Sequence, residues 1–304
     1  MENVKTDGPT GGPDLTGEQL ARAVAADFES FFLPWGPLEV RIAVEAAHSA
    51  CIRRSGDETR IVIPPDMARE EIDSPDRLFF HLLILSHELA HLVHRHLYAG
   101  VQEAADYRAL EYWADFYGAK VMMTLVTFGE RVNKIFRVFF PATHFFEAAL
   151  ESVGRAVGRL VETVYTDDDR YPPKLLRVGL TSNGVTSFLR HDMINPPPIW
   201  YFSVFKRVFA SQPVRELMLL YPEQMDLNVD PIERARKWHR EMQGDKIAIT
   251  PWFKPEVVIY LHTSFDQTDE ERAASERMRL EELQAAGYLL NEPKPGGSEA
   301  DARL

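Results

Sequence analysis

LFFHLLILSHELAHLVHRHLYAG, at residues 78–100, is the segment from which the fold can best be predicted. Its apolar residues recur at the spacing of an α-helix, and a serine followed by a proline, Ser74 and Pro75, is typical of a helix N-terminus. We therefore expect one long helix over residues 75–98, with Gly100 as its C-terminal stop.

The HELAH sequence inside this helix has the residue types and the spacing of a metal site. His87 and His91 are four residues apart, so on a helix they share a face and can both direct a ring nitrogen to one ion. Glu88 lies one position further round, where its carboxylate can reach the attacking water without being a ligand. The pattern predicts Zn²⁺ held by two imidazoles, with Glu88 as the catalytic base.

A third ligand is available on the next predicted helix, at residues 101–128. Glu111 and Asp115 are four residues apart and so share a face of this helix. If the chain turns at Gly100, Glu111 completes a set of two histidines and one glutamate, and Asp115 can accept a hydrogen bond from the non-ligating nitrogen of a histidine, with His87 the expected donor. The alternative, two surface charges on an amphipathic helix, is disfavoured because apolar residues surround them and a buried carboxylate needs a cation.

HELAHLVHRH at residues 87–96, followed by EYWADFYGA at residues 111–119, resembles the gluzincin pattern of metallopeptidases. Within that group the match over residues 78–123 is most similar to the HtpX and Ste-type endopeptidases and to the soluble Lit-type phage-exclusion peptidases. The resemblance implies a zincin-like fold and an endopeptidase that cuts an intracellular protein, in a regulatory or phage-defence role. His96 matches a histidine often found after the second zinc ligand, and we expect it and His94 to have structural or supporting roles.

The same families often carry a His-Pro-Pro segment followed by an arginine, and the histidine is thought to stabilise the oxyanion. Here Tyr171 stands in the place of that histidine, before two prolines and Arg177. A phenol can donate the same hydrogen bond, so we predict a catalytic role for Tyr171. A proline-rich turn with an incidental tyrosine is the competing interpretation, and His144 and His191 are alternative donors.

The remaining pattern predicts an α+β fold that is mainly α, with an active-site helix pair and a small N-terminal antiparallel sheet. Thr16 and Gln19 have the spacing of a capping box at the start of the first helix. Alternating or β-branched runs predict strands, of which 59–63 is the expected edge strand for an extended substrate. The predicted strands are 38–44, 50–54, 59–63 and, late in the chain, 257–262, and further helices are expected at 130–139, 144–165 and 269–286.

Composition shifts along the chain suggest four parts. Residues 1–13 and 293–304 are rich in small, polar and proline residues and are predicted to be disordered tails. Residues 14–166 form the predicted zincin-like catalytic domain. Residues 167–292, helical and proline-rich, are expected to complete or cover the site.

Charge and cysteine content limit the class of protein. The net charge of −12 over 304 residues argues against unaided binding to nucleic acid or to anionic lipid. No stretch approaches the roughly 18–20 apolar residues of a membrane span, and no apolar signal segment is present. The single cysteine, Cys51, excludes an internal disulfide and is typical of a reducing compartment. We therefore expect a cytoplasmic protein whose partner is a protein or peptide substrate.

Two other functions are compatible with a metal site. One is a zinc-binding regulatory or sensor module that acts through a protein partner, but such a module has no need of Glu88. The other is a purely structural zinc site. Structural sites are usually closed by four ligands, most of them cysteines, and Cys51 alone cannot supply these.

Overall fold

The structure of the chain is a computed structural model, and it describes residues 15–36, 38–55, 58–98, 100, 103–141, 146–192, 199–225, 230–243, 252–262, 269–285 and 287. Within these residues the molecule is mainly helical with one small sheet, which confirms the α+β, mainly α class. The predicted tails lie outside the described residues. The strands are β1 (Arg41–Val44), β2 (Cys51–Ser55) and β3 (Glu58–Ile63); the helices are α1 (Gly17–Ser30), α2 (Pro65–Arg69), α3 (Pro75–Val93), α4 (Ala104–Phe128), α5 (Glu130–Phe139), α6 (Phe146–Thr163), α7 (Lys174–Asp192), α8 (Ile199–Val208), α9 (Gln212–Leu220), α10 (Asp230–Gln243), α11 (Pro255–Leu261) and α12 (Asp269–Ala285).

Helix α1 begins at the predicted capping box. The Thr16 side chain accepts a hydrogen bond from Gln19 N at 3.3 Å, and Gln19 Oε1 accepts one from Thr16 N at 2.8 Å. Further along α1, the buried carboxylate of Asp27 accepts hydrogen bonds from Arg131 N and Val132 N, at 2.9 and 2.8 Å. These amides belong to the first turn of α5, so α1 caps α5 and fixes its start.

The sheet is mixed, and the prediction of an antiparallel sheet was wrong. The strand order is β1-β3-β2, with β1 parallel and β2 antiparallel to β3. Ile61, Val62 and Ile63 are all buried, as is typical of a strand with neighbours on both sides. The most apolar strand therefore takes the centre, and residues 59–63 cannot be the edge strand that we expected. Strand β2 is an edge strand instead.

The segment 257–262, predicted as a strand, is helical. Helix α11 starts with a proline at its first position, and Val257, Tyr260 and Leu261 are buried at the three- and four-residue spacing of one helix face. Tyr117 Oη donates a hydrogen bond to the carbonyl oxygen of Leu261 at 3.0 Å, which joins α11 to α4. A short apolar run fits both a strand and a buried helix, and tertiary packing selected the helix.

Helix α3 also ends earlier than predicted, at Val93 instead of near residue 98. Arg95 follows with a φ of 55°, in the left-handed region that usually requires glycine at a helix end. This break turns the next residues into a short 3₁₀ turn and brings the side chain of His96 against that of His91.

Helices α3 and α4 pack side by side, and Gly118 permits their close approach. A Cβ atom at position 118 would lie 2.9 Å from both the Cα and N atoms of His87, and 3.1 Å from the carbonyl carbon of Ser86. Backbone atoms inside a helix cannot move aside as the end of a side chain can. The two helices can therefore meet at this distance only where α4 has no side chain.

The later helices pack onto this pair. Helices α7, α10 and α11 all contact α4, so Arg177 on α7 and His239 on α10 come close to the residues of the predicted site. The division of the chain between residues 166 and 167 stays a prediction. In the described part of the chain, none of the helices combines the length and the apolarity that crossing a membrane requires.

We predict that Gly118→Ala lowers the free energy of unfolding by about 1–3 kcal/mol, the usual cost of overpacking a closely packed contact. The matched control is Gly179→Ala on α7, where a Cβ atom would meet nothing within 4 Å. That substitution should be neutral or stabilising by up to about 1 kcal/mol, because alanine favours a helix. Urea unfolding of both variants measures the difference. Equal stability of the two variants would contradict the close approach.

Candidate metal centre

Three side chains from α3 and α4 converge on one point. His87 and His91, one turn apart on α3, face Glu111 on α4, and together they form a group that can hold a metal ion. His87 Nε2 lies 3.0 Å from His91 Nε2 and 3.2 Å from Glu111 Oε2. His91 Nε2 lies 3.4 Å from Glu111 Oε1. The structure thus brings the three predicted ligands together.

These distances fit the donor spacing of a tetrahedral ion. For bonds of about 2.0–2.1 Å, two ligand atoms at a tetrahedral centre lie about 3.3 Å apart. The two Nε2 atoms are 3.0 Å apart, and each lies 3.2 or 3.4 Å from a different oxygen of Glu111, so all three separations are close to that value. Two imidazoles and a carboxylate are also a donor set that Zn²⁺ accepts. Both the spacing and the chemistry of the three side chains therefore fit zinc.

Glu88 is buried beside this group without belonging to it. Only 8% of the residue is exposed, and burial raises the pKa of its carboxyl group, an effect that the nearby His87 and His91 partly offset. The backbone N–H of Ile52, on the edge strand β2, also lowers this pKa. Glu88 thus lies between the three converging residues and the sheet, with an increased affinity for a proton.

Asp115 approaches His87 from the opposite side of its ring. Its Oδ1 atom lies 3.0 Å from His87 Nδ1, within ion-pair distance. Arg177 on α7 holds the same carboxylate through two contacts, Nε to Oδ2 at 2.7 Å and Nη2 to Oδ1 at 2.9 Å. Burial raises the pKa of Asp115, but Arg177 and His87 outweigh burial and lower it. The carboxylate is therefore charged and held on both sides.

His91, the second candidate histidine ligand, contacts a cluster of other histidines. Its Nδ1 atom lies 2.6 Å from His96 Nδ1, and His96 Nε2 lies 2.9 Å from His239 Nε2 on α10. His94 packs against the same cluster and accepts a hydrogen bond from Trp113 Nε1 at 2.9 Å. Burial lowers the pKa of His94 and of His96 well below the usual value, and that of His239 to about 3. These three imidazoles are therefore neutral at physiological pH.

The ring of Tyr171 packs against that of Tyr107, which lies on α4 four residues before Glu111. Their ring centroids are 6.2 Å apart, and the guanidinium carbon of Arg177 lies 5.5 Å from the Tyr171 ring centroid. Burial raises the pKa of both phenols, and the charge of Glu111 adds to the effect. Both phenols are thus protonated, and Glu111 is close enough to each to raise its pKa. His144 lies outside the described residues, as does the side chain of His191.

Three contributors were not assigned these roles from the sequence. Tyr107 precedes Glu111 by four residues, so helical spacing alone could have placed both on one face. Arg177 was noted only as the arginine after the prolines, and nothing local links it to Asp115. His239 lies 143 residues from His96 on a polar helix, and no signal in the sequence connects them.

A cavity of about 330 Å³ opens beside the candidate ligands, between the sheet and the C-terminal end of α3. His91 and Ile52 form part of its wall, and Arg41 and Arg95 place cationic side chains along it. Arg41 is paired with Glu39 and Glu58, which leaves the wall mixed in charge. The cavity thus leaves open space next to His91, one of the three candidate ligands.

Comparisons of the chain with known protein families, with curated proteins and with solved structures gave no match.

We predict that metal binding displaces a proton from His87. Burial lowers the pKa of His87, but Asp115 and Glu111 more than offset it and raise the pKa to about 10 in the metal-free protein. The apparent affinity for Zn²⁺ should therefore rise with pH up to about 10, with about one proton released per ion near neutral pH. Calorimetric titration in two buffers of different ionisation enthalpy measures that proton. An affinity independent of pH over this interval would contradict the assignment.

The same proton stabilises the metal-free fold. Because the folded-state pKa of His87 lies above its unfolded value of about 6.5, this contribution is complete below about pH 6.5. This stabilisation is lost as the pH rises through the folded-state pKa.

Asp115→Asn removes one of the two groups that raise the pKa of His87, so in this variant the pH dependence of metal affinity should shift to lower pH.

Proposed function

We propose that the protein is a zinc-dependent endopeptidase with a zincin-like catalytic core, which hydrolyses peptide bonds of a protein in the cytoplasm. One observation carries the proposal. His87 Nε2 and His91 Nε2 lie 3.0 Å apart and within 3.2 and 3.4 Å of the two carboxylate oxygens of Glu111, one oxygen each, and the buried Glu88 follows His87 on the same helix. The arrangement of a motif helix, a second ligand-bearing helix and a small neighbouring sheet supports the zincin-like core.

Zinc is proposed because the three donors suit it and leave a position open. When bound, zinc supplies a Lewis acid that polarises the scissile carbonyl group and lowers the pKa of water. Structural zinc sites usually have four protein ligands. Among the described residues, the group of candidate ligands contains three, and the single cysteine of the chain, Cys51, is not one of them. Three ligands with an open position favour catalysis.

Glu88 is the proposed general base. Its carboxylate takes the proton from the attacking water and passes it to the leaving amine. A base for this step works best when its pKa lies above that of an exposed glutamate, and burial raises the pKa of Glu88.

Tyr171 is the proposed donor to the oxyanion, with Tyr107 as the neighbouring alternative. Negative charge develops on the carbonyl oxygen during attack, and a hydroxyl group close to the ligands can stabilise it by donating a hydrogen bond. Burial keeps both phenols protonated because it raises their pKa values. The guanidinium group of Arg177 near the Tyr171 ring supports the position of that ring.

We propose that an extended substrate adds to the edge of β2, which replaces the edge strand 59–63 expected from the sequence. The backbone N–H of Ile52 in this strand influences the pKa of Glu88, so a segment paired along β2 would run past the proposed general base. The cavity next to His91 would take one substrate side chain. A regulatory module that only binds a partner would use neither the cavity nor Glu88.

We predict that Glu88→Gln keeps the fold and the zinc but lowers the rate of cleavage by about 10²–10⁴-fold, the contribution of a general base. The matched control is Glu70→Gln, the same change at the end of α2, where Glu70 pairs with His81 of α3. That control should lose stability but keep activity. Zinc content, thermal unfolding and cleavage are measured for each variant.

The substrate is identified by comparing new protein N-termini in cells that produce either the wild type or Glu88→Gln. N-termini that appear only with the wild type mark the cleavage sites and supply a peptide for kinetics. Unchanged cleavage by the Gln variant, or purified protein without zinc, would overturn the proposal.

We predict that Tyr171→Phe lowers kcat by about 10²–10³-fold, the usual effect of removing one oxyanion donor, with little change in KM or zinc affinity. Tyr107→Phe, which removes a hydroxyl group of the same kind one ring away, should have a smaller effect. The reverse order would assign the role to Tyr107. Unchanged kcat in both variants would show that neither tyrosine is the donor to the oxyanion.

A further inference from the structure

His91, His96 and His239 form a line of hydrogen-bonded imidazoles, which we call the histidine line. At its His239 end, the structure determines which ring nitrogen carries the hydrogen. His239 Nδ1 lies 2.5 Å from the carbonyl oxygen of Ala235, one turn earlier on α10. A carbonyl oxygen only accepts hydrogen bonds, so Nδ1 of His239 must carry the hydrogen. In a neutral imidazole the other nitrogen is then an acceptor. His239 therefore presents an acceptor, Nε2, towards His96.

The position of this hydrogen on His239 determines the positions of the hydrogens on His96 and on the candidate ligand His91. His96 Nε2 lies 2.9 Å from His239 Nε2 and must donate to it, which leaves His96 Nδ1 as an acceptor. His96 Nδ1 lies 2.6 Å from His91 Nδ1, so His91 donates through Nδ1. In a neutral His91 the other nitrogen, Nε2, then carries a lone pair, and it is this atom that faces His87 and Glu111 at 3.0 and 3.4 Å.

We propose that His96 and His239 are positioning residues that hold His91 in the one tautomer able to bind the metal. The inference rests on the proposed function in one respect only, namely that His87, His91 and Glu111 hold an ion. It goes beyond that function because it makes a residue of α10 a determinant of metal affinity.

The reverse polarity is excluded by the buried end of the line. If His96 carried its hydrogen on Nδ1, two N–H groups would face each other at 2.6 Å, and His239 Nε2 would face a second acceptor at 2.9 Å. His96 and His239 are both buried, so water does not rescue these pairs. A buried polar group left unsatisfied costs about 1–3 kcal/mol, which makes the single consistent arrangement the stable one.

The line also ties the metal site to the docking of α10. This helix is held on α4 by an ion pair between Arg234 and Asp106 at 2.8 Å, and Trp113 of α4 packs on the His239 ring with centroids 5.3 Å apart. The tautomer of His91 therefore depends on a helix far from the motif in sequence. Loss of this contact would weaken metal binding without changing any ligand.

The first test reads the tautomers directly in the metal-free, full-length protein. Long-range ¹H–¹⁵N correlation spectra of protein labelled with ¹⁵N-histidine show which ring nitrogen carries the hydrogen. We expect hydrogen on Nδ1 of His239, Nε2 of His96 and Nδ1 of His91. A hydrogen on Nδ1 of His96 would overturn the proposal. This test needs neither metal nor peptidase activity, so it stands apart from the proposed function.

The second test compares His239→Leu with His239→Gln in zinc competition against a chelator. Leucine removes the acceptor, and zinc affinity should fall by about 10–100-fold, as for other residues that orient a ligand. Glutamine places an amide oxygen close to the position of Nε2 and should restore the affinity to within a few-fold of the wild type. A stability defect alone would not give this recovery.

The control is His81→Leu, which removes another fully buried histidine, on α3, that pairs with Glu70 and does not belong to the group of candidate ligands. This variant should unfold at a lower temperature but bind zinc with unchanged affinity. Wild-type affinity in His239→Leu, or equal loss in the Leu and Gln variants, would overturn the inference. Zinc binding with the expected tautomers but no cleavage would instead remove only the proposed peptidase function.

Discussion

The contact between Gly118 and the backbone of His87 is the constraint on which the site depends. A helix presents its side chains at fixed intervals, so the distance between two helix axes decides which atoms can meet. With α4 against α3 at this point, Glu111 reaches the two histidine nitrogens, and Asp115, one turn further along α4, reaches the far side of the His87 ring. A bulkier residue at this crossing would separate all of these pairs together.

The charges in the candidate site give a reason why a proton and a metal ion would compete for it. Asp115 and Glu111 are both buried, and a buried carboxylate is costly unless a cation compensates it. Arg177 compensates Asp115 through two contacts. Glu111 has no arginine or lysine of this kind among the described residues, and in the metal-free protein a proton on His87 takes that place. A divalent ion supplies the same compensation more completely, which is a physical reason for the site to bind one.

Sequence reasoning succeeded where chemistry and local geometry coincide. The spacing of His87, His91, Glu111 and Asp115 is a property of helices, so these residues and their faces could be predicted. The order of the strands could not, because β3 becomes central only when the whole sheet packs. Arg95 ends α3 without glycine, so the stop was expected at Gly100. Contacts from α7 and α10 arise from tertiary packing, and a single sequence contains no local trace of them.

The histidine line limits which part of the chain could be transferred to another protein with the site intact. Every proposed ligand lies within residues 87–111, yet the groups that orient the two imidazoles sit at Arg177 and His239. A fragment that ends at residue 166 would keep all the donor atoms and lose both supports. The same holds for a graft of the helix pair into another scaffold, or for a relative that kept the motif but rebuilt its C-terminal half. The motif alone would therefore not reproduce this site in another protein. Most of the chain, through His239, would have to be transferred with it.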